Sequence, residues 1–237
     1  MEKQGSYQIV RKRILNLLKT NQLRAGDKLP SERNFCEETG LNRNTVRHGL
    51  LLLQREGVIF RLERKGWYVN PIRLAYNPTN HVNFAKLAAS QDRQASWTAV
   101  DKGIVVVDEN ANTGESEGFP LGTSVYEMDS VLILDGQKVA YTLNYLHAER
   151  LNGIIPKIQE RAMTQVIEDD YKIKLKQRNL IVRPQLLARE VTTELGVSFG
   201  SPGVYIRRIK IDEKNQQVLT VEHEYWRFDA IELRIDQ

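Results

Sequence analysis

The sequence predicts an α+β protein of two domains, in which a small helical domain with a β-hairpin precedes a larger domain around a mostly antiparallel sheet. Apolar residues recur at helical spacing in the first part of the chain, whereas strand-like runs dominate the rest. Residues 1–70 contain 14 Lys and Arg against 7 Asp and Glu, and residues 71–237 contain 20 against 23, so the net charges are +7 and −3. This division indicates that only the first part contacts a polyanion.

The composition is that of a folded, globular chain. Hydrophobic residues make up 41% and charged residues 27% of the 237 residues, which excludes a disordered tail. No apolar run reaches the roughly 18 residues that a membrane span needs, and the N-terminus lacks the apolar core of a signal peptide. The lone cysteine, Cys36, cannot form an internal disulfide. We therefore expect a cytoplasmic protein that does not associate with a membrane.

The basic domain begins with three segments of helical periodicity. Residues 7–20 carry one apolar stripe, as expected of a helix on the surface of a small core. Ser31 is predicted to cap a second helix that ends at Gly40. Asn42 is predicted to cap a third helix that stops at Gly57.

Two strand-like runs follow the third helix. They span 58–62 and 67–69, and the polar turn 63–66 joins them. Three helices followed by a hairpin form a winged helix-turn-helix, which we assign to residues 1–70. Residues 71–80 contain two prolines and several polar residues, so they are predicted to be a linker.

The second domain, residues 81–237, is predicted to combine a mostly antiparallel sheet with short helices. Asp135 and Gly136 are typical of a two-residue hairpin turn between two of its strands. The predicted strands span 103–107, 124–134, 138–146, 174–182, 204–212 and 218–227. The predicted helical segments span 84–90, 152–171 and 186–195.

The start of the third helix carries side chains that suit DNA. Arg43 and Arg47 are four residues apart and share a face, and an arginine there can donate two hydrogen bonds to guanine O6 and N7. Asn44 can pair with adenine or contact a phosphate. Thr45 and Asn42, together with the N–H groups at the helix start, suit phosphate oxygens. The alternative is that the two arginines only solvate an exposed helix.

Two further cationic places favour the same partner. Arg33 begins the preceding helix and is expected to point towards the same DNA backbone. The tip of the hairpin, Arg64-Lys65-Gly66, is predicted to reach the adjacent minor groove or its phosphates. Double-stranded operator DNA, with the third helix in its major groove, is therefore the predicted partner of this domain.

Four short motifs lie within this domain: Gly26-Asp-Lys-Leu-Pro-Ser-Glu-Arg33, Thr-Val-Arg47, Leu53-x-x-Glu-Gly57 and Lys-Gly-x-Tyr-Val69. Over almost all of residues 7–69 they closely resemble the winged helix of the GntR family of bacterial regulators. The chain departs from the family pattern at Asn42, where Ser or Thr is usual, and at Trp67, where Thr often lies. The resemblance implies DNA contacts at Arg33, Asn42, Arg43, Asn44, Thr45, Arg47, Lys65 and Gly66.

Short motifs also recur through the second domain: Asn83-Phe84, Asp135-Gly136, Asn144-Tyr145-Leu146, Glu194-Leu195-Gly196-Val197, Ser201-Pro202 and Trp226-Arg227-Phe228-Asp229. They are similar to the effector domain of the HutC subgroup of GntR regulators, the UTRA domain, whose fold is related to that of chorismate lyase. The resemblance implies a chorismate-lyase-like α+β domain that binds a small-molecule effector and forms a homodimer.

The same resemblance implies where the effector lies. Backbone N–H groups of Asn83, Phe84 and Ala85 would form an anion site at a helix start. Each pocket residue also has a structural alternative, in which Phe84 and Trp226 are core residues and Asn144 caps a turn. The other implied pocket positions are Ser130, Leu132, Thr142, Asn144, Ala162, Thr164, Thr220 and Trp226.

The chemistry of the effector is less constrained. Sugar-phosphate-sensing members of the subgroup carry arginines near Ser130 and acidic residues near Thr142 and Thr220, and this chain has none of them. Either the effector is not a phosphosugar, or Arg161 or Arg183 supplies the positive charge.

A third resemblance concerns two segments that flank the domain. The segment from Arg73 to Thr79 with Asn83-Phe84, and the segment from Trp226 to Ala230, are similar to regulators of phosphonate use. This similarity implies a small aminophosphonate as the effector.

Motifs of enzymes and metal sites fail on inspection. Gly196-Val-Ser198-Phe-Gly200 spells the nucleophile elbow of serine hydrolases, but Ser-Pro-Gly follows it instead of a helix, so we expect a loop. The histidines at 48, 81, 147 and 223 lack metal-ligand spacing, and no phosphate-binding loop or dinucleotide fingerprint is present. No catalytic, metal or cofactor site is therefore predicted.

The sequence as a whole predicts a transcription regulator, expected to act as a repressor, that binds DNA as a homodimer and responds to a small molecule. One alternative is an enzyme of chorismate-lyase-like fold fused to a DNA-binding domain. Another is an architectural DNA binder that has no effector.

Overall fold

The computed structural model divides the chain into two compact units. The first extends to Arg73 and also includes Gly196–Ser198, and the second begins at Leu74. Residue 63 of the predicted turn, residue 80 of the predicted linker and His81 lie outside the described residues. In the part of the chain that is described, no helix is long and apolar enough to cross a membrane. The described residues are 5–62, 64–79, 83–108 and 118–235.

The first unit contains α1 (Tyr7–Lys19), α2 (Glu32–Thr39) and α3 (Arg43–Arg55). Two side-chain caps determine where α2 and α3 begin. Ser31 Oγ accepts a hydrogen bond from the N–H of Asn34 at 3.1 Å, and Asn42 Oδ1 accepts one from the N–H of Thr45 at 2.9 Å. Gly40 ends α2 in the left-handed conformation, with φ +69°. Both predicted caps and this helix end are confirmed.

An apolar core joins the three helices of the first unit. Each helix contributes residues spaced three or four apart, so that one face of the helix is buried. The fully buried members are Val10, Ile14, Phe35, Val46, Leu50 and Leu53. Val46 and Leu50 hold α3 to this core, while Arg43 and Arg47 near the start of the helix are exposed.

A hairpin completes the first unit. Strands β1 (Ile59–Leu62) and β2 (Gly66–Val69) pair antiparallel. Arg64 (φ +60°) and Gly66 (φ +108°) both adopt left-handed backbone conformations at the tip, which suits glycine at the second position. The predicted winged helix-turn-helix is confirmed.

The second unit is an α+β domain. Its strands are β3 (Leu74–Tyr76), β4 (Ala95–Val106), β5 (Ser124–Leu134), β6 (Gln137–His147), β7 (Leu175–Leu186), β8 (Pro202–Asp212), β9 (Val218–Arg227) and β10 (Ile231–Leu233). Its helices are α4 (Phe84–Ala89), α5 (Ile155–Glu160), α6 (Met163–Asp170) and α7 (Arg189–Leu195). Among the described residues the main sheet has six strands in the order β4-β5-β6-β9-β8-β7, with every neighbouring pair antiparallel. The predicted fold class is confirmed.

The predicted linker 71–80 is wrong at its centre. Leu74–Tyr76 forms strand β3, which pairs in parallel with β10 near the end of the chain. Leu74 is fully buried and Tyr76 is 3% exposed, so the alternation of apolar side chains about Ala75 belongs to the core of the second unit. The prolines and polar residues on either side obscured this short pattern.

Strand β4 begins earlier than the predicted 103–107. Its pairing with β5 shifts register between Asp101 and Gly103, where Gly103 has φ +96°. Such a bulge interrupts the two-residue alternation by which strands are recognised. By contrast, the predicted turn at Asp135 (φ +49°) and Gly136 (φ +76°) is confirmed, because both residues take the left-handed conformations that a tight hairpin needs.

One face of the main sheet is covered by two groups of elements. Helices α5 and α6 pack Ile158 and Ile167 against Met128 of β5. Strands β3 and β10 and helix α4 form a second apolar cluster on the sheet. Tyr76 of β3 and Trp226 of β9 both belong to it. Between the two clusters lies an interior space.

Candidate functional site

The exposed face of α3 carries the residues that were predicted to contact DNA. The side chain of Arg43 is 77% exposed, and Asn42, Asn44 and Arg47 are exposed as well. Thr45 is half-buried, and its N–H and hydroxyl both donate to Oδ1 of the Asn42 cap. The structure therefore brings the predicted base-reading and phosphate-binding groups to one surface of a capped helix.

A depression of about 680 Å³ lies between α2, α3 and the hairpin. Of the described residues that line it, six are cationic and one is acidic. The cationic residues are Lys28, Arg33, Arg43, Arg61, Arg64 and Lys65. Gly66 lines the same depression, so Arg33 and the wing tip join the face of α3, as predicted. A concave surface with this charge suits the phosphate backbone of a nucleic acid.

The acidic residue in this depression is Glu32, which sequence reasoning did not single out. Its carboxylate accepts hydrogen bonds from Arg43 Nε at 3.0 Å and from Trp67 Nε1 at 3.3 Å. Burial raises the pKa of Glu32. The two hydrogen bonds and the charges of Arg43 and Arg47 lower it by more than burial raises it, so the pKa lies below its ordinary value. An ionised Glu32 thus holds Arg43 in place from below.

A cavity of about 130 Å³ lies between the two clusters of the second unit. Its floor consists of side chains that lie side by side across neighbouring strands. Ser130 of β5 pairs with Thr142 of β6, and Thr142 pairs with Glu224 of β9. In the adjacent row, Asn144 pairs with Glu222, and Glu222 pairs with Arg208 of β8.

Most of the residues predicted to bind the effector line this one cavity. They come from α4, β5, β6, β9 and the start of α6, and the topology of the sheet brings them together. They are Asn83, Phe84, Ala85, Ser130, Leu132, Thr142, Asn144, Ala162, Thr164 and Trp226. Phe84 and Trp226 are also core residues, with their ring centroids 6.1 Å apart, so the structural alternative and the cavity position hold together.

Three of the predicted pocket residues lie elsewhere. Thr220 is fully buried beside the cavity, and its hydroxyl donates to Glu222 at 2.8 Å. Arg161 bonds to Asp170 at 2.7 Å on the surface of the α5–α6 region. Arg183 lies on the outer strand β7 with its guanidinium 4.5 Å from the ring centre of Tyr205. Neither Arg161 nor Arg183 is among the described residues that line the cavity, so their supply of charge to the effector stays a prediction that this geometry does not favour.

The charge in the cavity comes instead from strands β8 and β9. Arg208 is 2% exposed, and its Nε donates to Glu224 Oε1 at 2.8 Å. Its other nitrogens donate to the carbonyl of Pro78 at 2.9 Å, to Gln177 Oε1 at 3.3 Å and to the hydroxyl of Tyr76. Arg208 therefore joins the cavity to the segment around β3.

A second buried ion pair lies one step along the same strands. Lys210 Nζ lies 2.8 Å from Glu222 Oε1 and 3.0 Å from Oε2, and both side chains are less than a tenth exposed. Burial raises the pKa of Glu222. The charges of Lys210 and Arg208, together with the hydrogen bonds from Lys210 and Thr220, lower it by more than burial raises it. The net effect is a lowered pKa, so this carboxyl is ionised.

The sequence carried a signal for these charges that was overlooked. Thr220, Glu222 and Glu224 occupy every second position of β9, and Arg208 and Lys210 do the same on β8. Alternating ionisable residues in long strands usually mark a solvent-exposed face. Here both faces of the strands are buried, and only the strand order shows that the charged faces are adjacent.

The structure offers no support for the enzyme-like motifs. Gly196 to Gly200 is irregular, as predicted, so Ser198 does not follow a buried strand. Among the described residues, no group of three His, Cys, Asp or Glu side chains could hold a metal ion.

A basic face on a winged helix-turn-helix, together with a second domain that contains a polar cavity, defines a DNA-binding transcription regulator with an effector domain. Residues 6–69 match the family of bacterial regulatory proteins called the gntR family, and residues 103–232 match the UTRA domain. The chain belongs to the GntR family of transcription regulators that carry a UTRA domain. The relatives and folds that it matches are transcription regulators.

Relatives and solved structures agree with this assignment. The HTH-type transcriptional regulator YihL of Escherichia coli K12 is 30% identical over 99% of each chain. The HTH-type transcriptional repressor NagR of Bacillus subtilis is 22% identical and matches over 85% of this chain and 82% of NagR. The crystal structure of PhnF from Mycobacterium smegmatis has the same fold, with a TM-score of 0.64 at 21% identity, covering 96% of this chain and 98% of PhnF.

Proposed function

We propose that this protein is a homodimeric repressor that binds an operator through α3 and the hairpin and loses affinity for it when a small molecule fills the cavity. The observation that carries the proposal is the pair Arg43 and Arg47, exposed on a capped helix that Val46 and Leu50 fix in the core. Flexible surface arginines would not need such a support, whereas base recognition needs side chains held in register.

Each DNA-binding residue is proposed to have one of two roles. Arg43, Arg47 and Asn44 contact base edges in the major groove. The others position the domain on the phosphate backbone, where cations and helix N–H groups give affinity without sequence preference. This second set is Arg33, Asn42, Thr45, Lys65 and Gly66.

A homodimer follows from the size of the reading surface. One short helix contacts only a few base pairs, so two copies on a palindromic operator are needed for useful specificity. The cytoplasm is the proposed location, because that is where a bacterial regulator meets the chromosome.

The effector is proposed to contact the predicted residues that line the cavity. They are Asn83, Phe84, Ala85, Ser130, Thr142, Asn144, Thr164 and Trp226. We favour repression that ends when the effector releases the protein from its operator, because two relatives are named as repressors. They are NagR and the probable fructoselysine utilization operon transcriptional repressor of E. coli K12, which is 24% identical. The phosphonate effector stays a prediction, and calorimetry with 2-aminoethylphosphonate tests it.

Arg47→Ala tests the proposed DNA contacts. A duplex is first selected with the wild-type protein from a randomised pool, and its dissociation constant is measured for each variant by gel shift. We expect Arg47→Ala to weaken binding by about tenfold to a hundredfold, since a bidentate arginine–guanine contact discriminates by roughly 1–3 kcal/mol. Lys65→Ala should instead weaken all duplexes alike and reduce the salt slope by about one.

Arg178→Ala is the matched control, because Arg178 is an exposed cation of the second unit. It should leave the affinity unchanged. Wild-type affinity in Arg47→Ala would contradict the proposed recognition helix, provided that circular dichroism shows an intact fold.

A further inference from the structure

The charges that line the cavity cancel. Of the described lining residues, four are charged, namely the cations Arg208 and Lys210 and the carboxylates Glu222 and Glu224. Each cation lies against one carboxylate, at 2.8 Å in both pairs. A ligand that enters therefore meets charged side chains of both signs whose charges sum to zero.

The cations are already occupied by acceptors of the protein. Arg208 donates to Glu224, to two oxygens of other residues and to the Tyr76 hydroxyl, and Lys210 bridges both oxygens of Glu222. An anionic ligand could reach either cation only by displacing a carboxylate from a buried pair. That displacement would leave an uncompensated buried charge, which is strongly unfavourable.

Uncharged hydroxyl groups require no displacement of a charge. The two oxygens of a carboxylate offer about four acceptor sites, and the donors of the protein do not fill all of them at either residue: Lys210 and Thr220 donate to Glu222, and Arg208, Tyr76 and Trp226 donate to Glu224. Ligand hydroxyls can donate to Glu222 and Glu224 while accepting from the side chains of Ser130, Thr142 and Asn144 in the same floor. Hydrogen bonds to ionised acceptors are about twice as strong as those between neutral groups, so such a site binds hydroxyls well without any ligand charge.

The rest of the lining is apolar and aromatic. Trp226, Phe84 and Trp97 lie around the polar floor together with Met128 and Ile158. These side chains suit a ring that has hydroxyls at its edge and C–H groups on its faces. At about 130 Å³ the cavity is also smaller than the several hundred Å³ typical of sites for larger ligands.

We propose that the effector is an uncharged, polyhydroxylated molecule of the monosaccharide or sugar-alcohol class, bound between the paired charges of β8 and β9 and the aromatic residues above them. This inference rests on the proposed function of the cavity as the effector site. It differs from the phosphosugar and phosphonate hypotheses in the charge of the ligand.

The test is calorimetry of the full chain with matched probes. The panel contains hexoses, pentoses and sugar alcohols, the phosphate ester of each, and 2-aminoethylphosphonate. We expect at least one uncharged compound to bind about tenfold or more tightly than its own phosphate ester. Tighter binding of an ester or of the phosphonate would overturn the inference, as would the failure of every uncharged compound to bind at about 10 mM.

Glu222→Gln tests whether the balance of charges in the cavity determines the charge of the ligand. It gives the lining a net positive charge, so affinity for the uncharged ligand should fall by about tenfold while affinity for its phosphate ester rises. Glu213→Gln is the matched control, because Glu213 forms an exposed ion pair with Lys174. Equal changes in both variants would overturn the inference.

A second variant is needed because Glu222→Gln alone leaves Lys210 as an unpaired buried charge, which could unfold the domain. Glu222→Gln with Lys210→Met removes both charges of the pair and leaves no buried charge unpaired. It should weaken binding of the uncharged ligand without any gain for the ester, and a gain for the ester here would overturn the inference.

The release of DNA separates this inference from the proposed function. A charged compound that binds the cavity and weakens duplex binding would overturn the ligand class but support the regulator. An uncharged compound that binds without changing duplex affinity would support the ligand class and contradict the proposed control.

Discussion

The contact between Glu32 and Arg43 shows how a single carboxylate can shape recognition. Arg43 is 77% exposed, yet its Nε is tied to Glu32, which Trp67 also contacts. A tethered guanidinium keeps its remaining N–H groups for a base edge and contributes less net charge to a phosphate. The departure at Trp67 from the family pattern thus supplies a donor that holds Glu32 in place.

Glu32→Gln should loosen this arrangement. The amide oxygen can still accept a hydrogen bond, but the negative charge beside the DNA surface is lost. We expect affinity for random-sequence duplex to rise by about three- to tenfold and the ratio of specific to random affinity to fall. Glu37→Gln removes a charge from the same helix, where Glu37 pairs with the exposed Arg33 at 2.8 Å. If both variants lost specificity equally, Glu32 would have no positioning role.

At the scale of elements, caps and turns were predictable and pairings of distant segments were not. Ser31, Asn42 and the Asp135–Gly136 turn depend on neighbours within a few residues, so local sequence specifies them. Strand β3 exists because β10, from the other end of the domain, pairs with it. The residues around β3 contain no pattern from which pairing with such a distant segment could be predicted.

The same reason explains which parts of the cavity were missed. Ser130, Thr142 and Trp226 were found through resemblance to a family, and they do line the cavity. Arg208 and Glu222 were not found, because their role follows from the adjacency of β8 and β9 and from burial on both faces of the sheet. Charge patterns alone would have placed them at the surface.

Leu74→Ala tests whether β3 is a structural strand. Leu74 is fully buried, so we expect a loss of about 3 kcal/mol in the unfolding free energy of the second unit, measured by urea denaturation. Ile72→Ala is the comparison within the same segment, since Ile72 is 79% exposed and its truncation should change stability by less than about 0.5 kcal/mol. Similar small effects at both positions would support a linker over the whole segment.

For the whole molecule, buried carboxylates make stability depend on acidity. The pKa of Glu222 in the folded protein lies below its ordinary value of 4.5. A carboxyl of this kind stabilises the fold above its unfolded pKa, and the contribution is lost as the pH falls through the folded pKa. Acid should therefore weaken the second unit through this pair.

Replacing the pair by Glu222→Gln with Lys210→Met should flatten that response. Between about pH 5 and pH 3, the unfolding free energy of the wild type should fall more steeply than that of the double variant. Urea denaturation followed over this pH range measures the two slopes. The exposed pair Lys174–Glu213 gives a control whose effect salt should remove, whereas the buried pair should respond little to salt. Parallel slopes would show that Glu222 is not ionised in the folded state.

The placement of the tryptophans gives each site its own optical reporter. Trp67 borders the basic depression of the first unit, and Trp97 and Trp226 border the cavity of the second. Indole emission changes when its polarity or its hydrogen bonds change, so a duplex and an effector should each perturb a different indole. Variants that keep only one of these tryptophans would report the binding of DNA and the binding of the effector separately, without any added label.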